Sequence, residues 1–538
     1  MLRAAAALSC LAAAAARAAS RRPVPRPTEA DPSLRDYGNT NVWPLPAQAV
    51  GVGCSATLDA ASFRIVVAQP ADSAFLAELA RRFLPQILFY PSGAPAPGHS
   101  ALATLSLVAL DGGAALQIQQ GTDESYTLTW SADCSAATIT GATVFGVRHG
   151  LETFSQLVDA GRPDGVYTVQ ALNVSDGPRF PFRGLLLDCA RHWHPPNMLL
   201  NLFDALSFHK QNAVIWGVGI DQSFVVQSAA FPNISQTASF GPPGTHVYSR
   251  DVVSSLVSEA NFRGIRLIPY IELVGHDPLN QPGLMFCNGV PGSGLFHPLH
   301  ADVWQFFDRF WADLREIFPE DYVQLGGDEV DISCWSNDAE IMAWNTAHGH
   351  APNDLTFIYA LYMTEMMASM RKVGFLPIWY AETFGPLNST GTFDFVGSKV
   401  IFDGWDVSRS AGKDPPPVQM KLVLTLALDR LFHPLQMGTP GSLSSALTSG
   451  ALALVTSYCF LMPGETCPGF PELNGDQPNW WCGTPPQKIR SQADQYIFSH
   501  SLRAPLFPAQ LQTPSLLFDI ALPFQVQLRL RAAKRLAL

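Results

Sequence analysis

Charge is scarce in this chain of 538 residues: Asp, Glu, Lys and Arg make up 15%, against 47% hydrophobic residues. A disordered chain needs the reverse balance, so the composition excludes one and supplies apolar surface for a sizeable core. Positive charge is scarcer still. Lys and Arg number 34 against 45 acids, a formal net charge of −11, and no basic run offsets it. Phosphate backbones demand basic patches, so nucleic acid is excluded as a partner. Long apolar runs are missing too. Past the first residues no segment approaches the roughly 20 apolar residues of a membrane span, which excludes a transmembrane segment.

Two features point to export. Arg3 precedes an Ala/Leu-rich stretch from Ala4 to Ala16, followed by Ala16-Arg17-Ala18, a small-x-small cleavage pattern; residues 1–18 read as a signal peptide. Arg17, Arg21 and Arg22 keep a transit peptide or a plain Ala-rich leader open as alternatives. Of nine cysteines, Cys10 falls in this leader, leaving Cys54, Cys134, Cys189, Cys287, Cys334, Cys459, Cys467 and Cys482. An even count permits full pairing in an oxidising compartment but fixes no connectivity. Sequons at Asn173, Asn233 and Asn388 are compatible with glycosylation there. The expectation is the secretory pathway, ending outside the cell or in a lysosomal or vacuolar lumen.

After a Pro/Arg-rich connector, residues 40–178 read as a smaller α+β domain. Alternating stretches at Ser62–Ala68, Ala101–Leu110, Ala115–Gln119 and Tyr126–Trp130 predict strands, and helical patterns cover Ser73–Phe83 and Gly146–Val158. From residue 179 to 490 short apolar strands alternate with longer helical segments, the mark of a parallel sheet with crossovers. Strand candidates are 183–188, 213–216, 265–272, 322–329, 376–382, 399–405 and 421–427. The best helix runs from Ala301 to Phe318, with Val303, Phe306, Phe307, Phe310, Trp311, Leu314 and Ile317 on one face, and Pro319 stops it. Seven such units imply a (β/α)8 TIM-type barrel more readily than an open sheet; the eighth strand is not evident, and 491–538 form a divergent tail.

In such a barrel the active site lies at the C-terminal strand ends. There the sequence gathers Asp188 and Arg191, Asp221, Glu272 and His276, Asp328 and Glu329, Trp379 and Glu382, and Asp403 and Trp405. Any one of these alone reads as a loop-facing polar residue; their convergence, with rim aromatics, fits a sugar site. The sharpest element is Gly326-Gly327-Asp328-Glu329. Neighbouring side chains in a regular strand point to opposite faces, and the glycine pair lets the backbone leave that geometry so both acids share one cavity. Two close carboxylates resist double ionisation, which raises one pKa toward the value of a general acid.

The segments FRGLLLDCARHWHPP (182–196), RGIRLIPYIELVGHD (263–277) and VQLGGDEVDISCW (323–335) resemble those of the β-N-acetylhexosaminidases of glycoside hydrolase family 20. The first domain resembles theirs through NVWPLPAQ (41–48), DESYTL (123–128) and GLETFSQLV (150–158). The resemblance implies exo-acting, retaining hydrolysis of terminal N-acetylglucosamine or N-acetylgalactosamine, with the substrate's acetamido oxygen as nucleophile. By position, Glu329 would be the proton donor and Asp328 would orient the acetamido group. Arg191 would hold the 3- and 4-hydroxyls, and Asp221 and His276 would support the acids. Trp379 and Trp405 would wall the pocket, and Trp335 would shape its leaving-group side. The resemblance further implies Cys287–Cys334 and Cys54–Cys134 bridges, no cofactor and no metal, with His192 and His194 making hydrogen bonds. The partner it implies is an N-acetylhexosamine-terminated oligosaccharide or glycoconjugate. A homodimer enters only through the family's habit, since no sequence feature specifies it.

The sequence departs from the family in places. The His-Trp-His before the second-strand acid stands here as Ile215-Trp216-Gly217, and the paired aspartates as Ile220-Asp221. Asp429 is the one stand-in for the sugar-binding Tyr and Asp after strand seven, and no Gly-Gly-Glu segment follows. A non-catalytic sugar-binding relative with an incomplete barrel is therefore the alternative reading. An endo-acting chitinase is a third, weakened by the lack of an extended aromatic cleft.

Overall fold

The computed structural model describes residues 42–59, 61–88, 100–159, 167–220, 223–239, 242–279, 295–391, 399–404 and 452–455. The expected leader and C-terminal tail, Asp221, Cys287, Trp405, Asp429 and the strand candidate 421–427 lie outside them.

The first sheet is built from β1 (Gln48–Leu58), β2 (Arg64–Gln69), β3 (Ser100–Ala101), β4 (Thr104–Ala109), β5 (Tyr126–Trp130), β6 (Ala136–Gly141), β7 (Val158–Asp159) and β8 (Tyr167–Asp176). Its order is β2-β4-β6-β5-β8-β1-β3, with β7 beside β8. Alternation drives it: in β4 Leu105, Leu107 and Ala109 are buried while the residues between them are half-exposed. Helices Ala74–Ile87 and Val144–Leu157 cover the buried face, started by Ser73 and Thr143, whose hydroxyls accept from first-turn N–H groups. The predicted strand at Ala115–Gln119 does not form. Asp111 accepts from the N–H groups of Gly113 and Ala115, and the Asn261 side chain bonds Ile118 N and Leu116 O, so the segment's polar groups are satisfied outside a ladder.

The second sheet is parallel. Its strands are β9 (Gly184–Asp188), β10 (Ala213–Ile220), β12 (Arg266–Val274), β13 (Tyr322–Gly326), β14 (Leu376–Tyr380), β15 (Ile401–Gly404) and β16 (Leu452–Val455), each paired with the next; a short β11 (Ser223–Phe224) turns back on β10. The place beside β15 is taken by Leu452–Val455, which alternation had not singled out. No eighth parallel strand occurs among the described residues. Side chains alternate between two cores. Ala213, Ile215, Ile268, Tyr270, Tyr322, Ile378, Tyr380 and Ile401 pack together on one face. Val214, Trp216, Leu267, Ile271, Val323, Leu325 and Trp379 pack on the other against the crossover helices, including Phe306, Phe307, Phe310 and Trp311 of Ala301–Arg315. An interior cluster and an exterior one around a parallel sheet is the layering of a barrel wall. No helix among the described residues is long and apolar enough to cross a membrane.

Candidate active site

Strands β12 and β13 are neighbours and parallel, so their C-terminal ends deliver Glu272, His276, Asp328 and Glu329 to the same edge. Glu272 is fully buried. One of its oxygens accepts from the N–H of Gly327 at 3.0 Å, and the other accepts from the hydroxyl of Tyr270. The glycine pair is what makes this approach feasible. A Cβ on Gly326 would lie 1.8 Å from Glu272 Oε1, and one on Gly327 would meet the Thr383 methyl at 2.3 Å. Both glycines have positive φ, 76° and 97°, and Glu329 follows at φ 50°, a conformation in which a residue with a side chain is strained. The strand thus breaks out of its alternation where the acids begin.

Electrostatics follow from that geometry. Burial holds the Glu272 carboxyl well above the usual range, and the adjoining charge of Asp328 adds to the effect. Burial also raises Asp328; His276 pulls it down and Glu329 pushes it up. Glu272 also hydrogen-bonds Asp328, which raises Glu272 and lowers Asp328, so the pair shares a proton held on Glu272 rather than ionising together. Asp328 Oδ1 is buried and has no hydrogen-bond partner among the described residues. Glu329 is the open member of the group, its side chain 35% exposed, with Oε2 3.8 Å from His276 Nε2. A buried oxygen without a donor therefore sits beside a carboxyl that solvent can reach.

Arg191 stands beyond the end of β9. Its backbone N–H and guanidinium both donate to Asp188, at 2.8 and 3.0 Å, which fixes it at the same edge, with β10 and β12 between its strand and that of Asp328. His194 is pushed down to about 4 by burial, so its ring is neutral at physiological pH. Trp379, expected as a pocket wall, and Trp335, expected on its leaving-group side, are fully buried and belong to the helix-side core. The reason for Trp379 is strand alternation: Ile378 and Tyr380 take the interior face, so the residue between them points to the helices. Trp335 packs against Tyr359 and Tyr362 beneath the loop that follows the acids. Neither ring is exposed. Cys54 and Cys134 are joined in a disulfide, and Cys189 is free and buried. The expected Cys287–Cys334 pairing involves a residue outside the described set.

Tyr270 was not foreseen. The signal was present, because Tyr270 and Glu272 are two apart in one strand and so share a face. Nor was the bond from the Gln324 side chain to Asp403, 3.2 Å long and buried, by which β13 ties β15 across the interior.

Family models match both parts of the chain. Residues 180–425 match glycosyl hydrolase family 20, catalytic domain, and residues 42–157 match the beta-acetyl hexosaminidase like family. Residues 180–425 are a glycosyl hydrolase family 20 catalytic domain. The chain is 33% identical to beta-hexosaminidase subunit alpha of Bos taurus over 49% of this chain and 50% of that protein. Against subunit beta of Felis catus the identity is 34% over 54% of this chain and 56% of that protein. The chain thus spans about half the length of the curated relatives it matches. Among solved structures the chitobiase of Flavobacterium johnsoniae superposes with a TM-score of 0.57 at 20% identity, covering 78% of this chain and 59% of that one. An N-acetyl-beta-hexosaminidase of Streptomyces plicatus gives 0.51 at 19%, covering 69% and 70%. The fold is a TIM barrel behind an N-terminal α+β domain.

Proposed function

We propose that this protein is an exo-acting, retaining β-N-acetylhexosaminidase that removes terminal N-acetylhexosamine from an oligosaccharide or glycoconjugate. One observation carries the reading: a buried, unpartnered Asp328 oxygen lies next to an accessible Glu329, in a site whose other buried carboxyl is already saturated. An acetamido N–H is the donor Asp328 Oδ1 lacks. Held there, the acetamido oxygen attacks the anomeric carbon as the glycosidic bond breaks, and Glu329 gives its proton to the leaving oxygen. Water then attacks the same carbon and returns a proton to Glu329, so configuration is retained. Glu272, holding or sharing a proton with Asp328, sets the charge of that carboxylate, and Arg191 is placed to take sugar hydroxyls with its fork of donors. Asp221 and Trp405 complete the site in this proposal by their positions in the sequence. The relatives' names, beta-hexosaminidase subunits alpha and beta, agree with the chemistry.

We also infer passage through an oxidising compartment. The Cys54–Cys134 bridge belongs to such compartments, and the sequon residues Asn173, Asn233 and Asn388 are all exposed. The test of function is release of chromophore from an aryl N-acetyl-β-glucosaminide by purified protein. The wild type turns over and Glu329→Gln does not. A wild type that binds the sugar without cleaving it would favour the non-catalytic reading. Activity that survives the substitution would remove Glu329 from its role.

A further inference from the structure

Away from the acids, the segment leading into helix Ala301–Arg315 carries His297 and His300, and helix Ala339–Ala347 opens with Glu340. One donor atom from each of these three side chains lies within 4.8 Å of the other two. The two imidazole rings are 4.3 Å apart. His300 Nε2 faces Glu340 Oε2 at 3.1 Å, and His297 Nε2 faces Asp338 Oδ1 at 3.4 Å. These positions are held from behind. His297 is buried, the carbonyl of Pro298 accepts from the Trp304 indole N–H at 2.9 Å, and His300 N–H reaches back to His297 O. Asp338 caps the second helix by accepting from the N–H groups of Glu340 and Ile341, both at 2.9 Å, and Ile341 is buried.

We propose that His297, through Nε2 because Nδ1 accepts from the Leu299 N–H, together with His300 and Glu340 forms a binding site for a divalent cation of the zinc class, with Asp338 adjoining it. Two imidazoles and a carboxylate suit zinc, nickel or copper, whereas magnesium and calcium take oxygen donors. Ligand atoms around tetrahedral zinc stand about 3.4 Å apart, given metal–ligand bonds of roughly 2.0–2.2 Å. The His300–Glu340 pair already meets that spacing, and small side-chain rotations close the rest. Two neutral rings with the charges of Glu340 and Asp338 balance a dication. The ligands come from the segments before and after β13 and its acid-bearing loop, so a bound cation clamps the far end of that loop to the adjoining helix start. It takes no part in the hydrolysis proposed above, and the two readings stand or fall separately.

The test uses the full-length protein, stripped with a chelator and titrated with Zn²⁺ by calorimetry, and with Co²⁺ followed by visible absorption. Wild type takes up one equivalent with the absorption of a tetrahedral N/O site and melts at a higher temperature when loaded. His300→Ala and Glu340→Gln lose that equivalent or weaken it by at least the roughly 10-fold that an outer-shell change costs. His348→Ala, at an exposed histidine outside the cluster, leaves it unchanged. Glu340 is exposed, so its substitution tests the site even where the histidine variant folds poorly. Zinc uptake equal in wild type and both cluster variants, or no uptake by the wild type, overturns the proposal.

Discussion

Two buried carboxylate clusters in this molecule look alike in residue type and behave oppositely. Glu124, in the first domain, is surrounded by donors: Arg183 through both terminal nitrogens, His149 at 2.6 Å and Asn212 at 2.8 Å. Burial would raise its pKa, yet Arg183 and His149 win and bring it down to about 2. Among the described residues no Arg shifts Glu272 or Asp328; burial raises each, Asp328 raises Glu272 further, and the hydrogen bond from Glu272 lowers Asp328. A saturated carboxylate is a structural rivet, fixed in one ionisation state. A pair short of donors keeps a proton and an open acceptor in play. The difference lies in counter-charge rather than in depth, and it is the reason the second cluster is the one proposed for the chemistry.

Substitutions sharpen the contrast. The largest effect on activity is expected from Glu329→Gln, a drop in kcat of roughly 10²–10⁴-fold with melting temperature little changed. Arg183→Met should do the reverse. It leaves Glu124 buried without its main partner, a cost of about 3–5 kcal/mol in chemical unfolding, while kcat per folded molecule stays close to wild type. An Arg183 variant as stable as wild type would dissolve the distinction drawn above.

The pH dependence separates the clusters further. Glu124 sits below its ordinary value of 4.5, so its stabilisation is full above that pH and fades as pH falls toward about 2. Asp277, next to His276, is pushed up to about 8 by burial from an ordinary 3.8. Its contribution has the opposite sign: full below about 4 and lost as pH rises through 8. Asp277→Asn, which keeps the acceptor for Leu279 N–H and cannot ionise, should flatten the thermal-stability profile between those limits. A profile unchanged by the substitution would show that Asp277 is not the titrating group. The smallest effect is expected for Tyr270→Phe, which removes a donor from Glu272 and so raises its pKa further. A modest shift in the pH–rate profile should follow, with little change in melting temperature.

Much of this was legible in the chain, for reasons that can be named. Amphipathic spacing located helix Ala301–Arg315, since its apolar stripe was long, although the helix ends three residues before the expected Phe318. The run Gly326-Gly327-Asp328-Glu329 disclosed the acids because glycines before charges, at the end of an apolar strand, have few other uses. Side-chain capture was not legible. Nothing local says that Asn261 will satisfy the backbone of Leu116 and Ile118 and cancel a strand there, 143 residues away in sequence for the second of them. Trp379 misled because a tryptophan at a strand end suggests a sugar wall, whereas strand parity puts its ring among the helices. Parity was readable in principle, had Ile378 and Tyr380 been assigned to the interior first.

The central claim is that Asp328 waits for an acetamido group, so the decisive measurement compares two aryl β-glycosides that differ only in that group. Wild-type protein should cleave the 2-acetamido compound and leave the 2-hydroxy glucoside essentially intact, and Asp328→Asn should lose turnover on the former by roughly 10²-fold or more. Equal cleavage of both compounds, or full activity of the Asp328 variant, would contradict the account, because the reaction would then draw its nucleophile from the protein or from water.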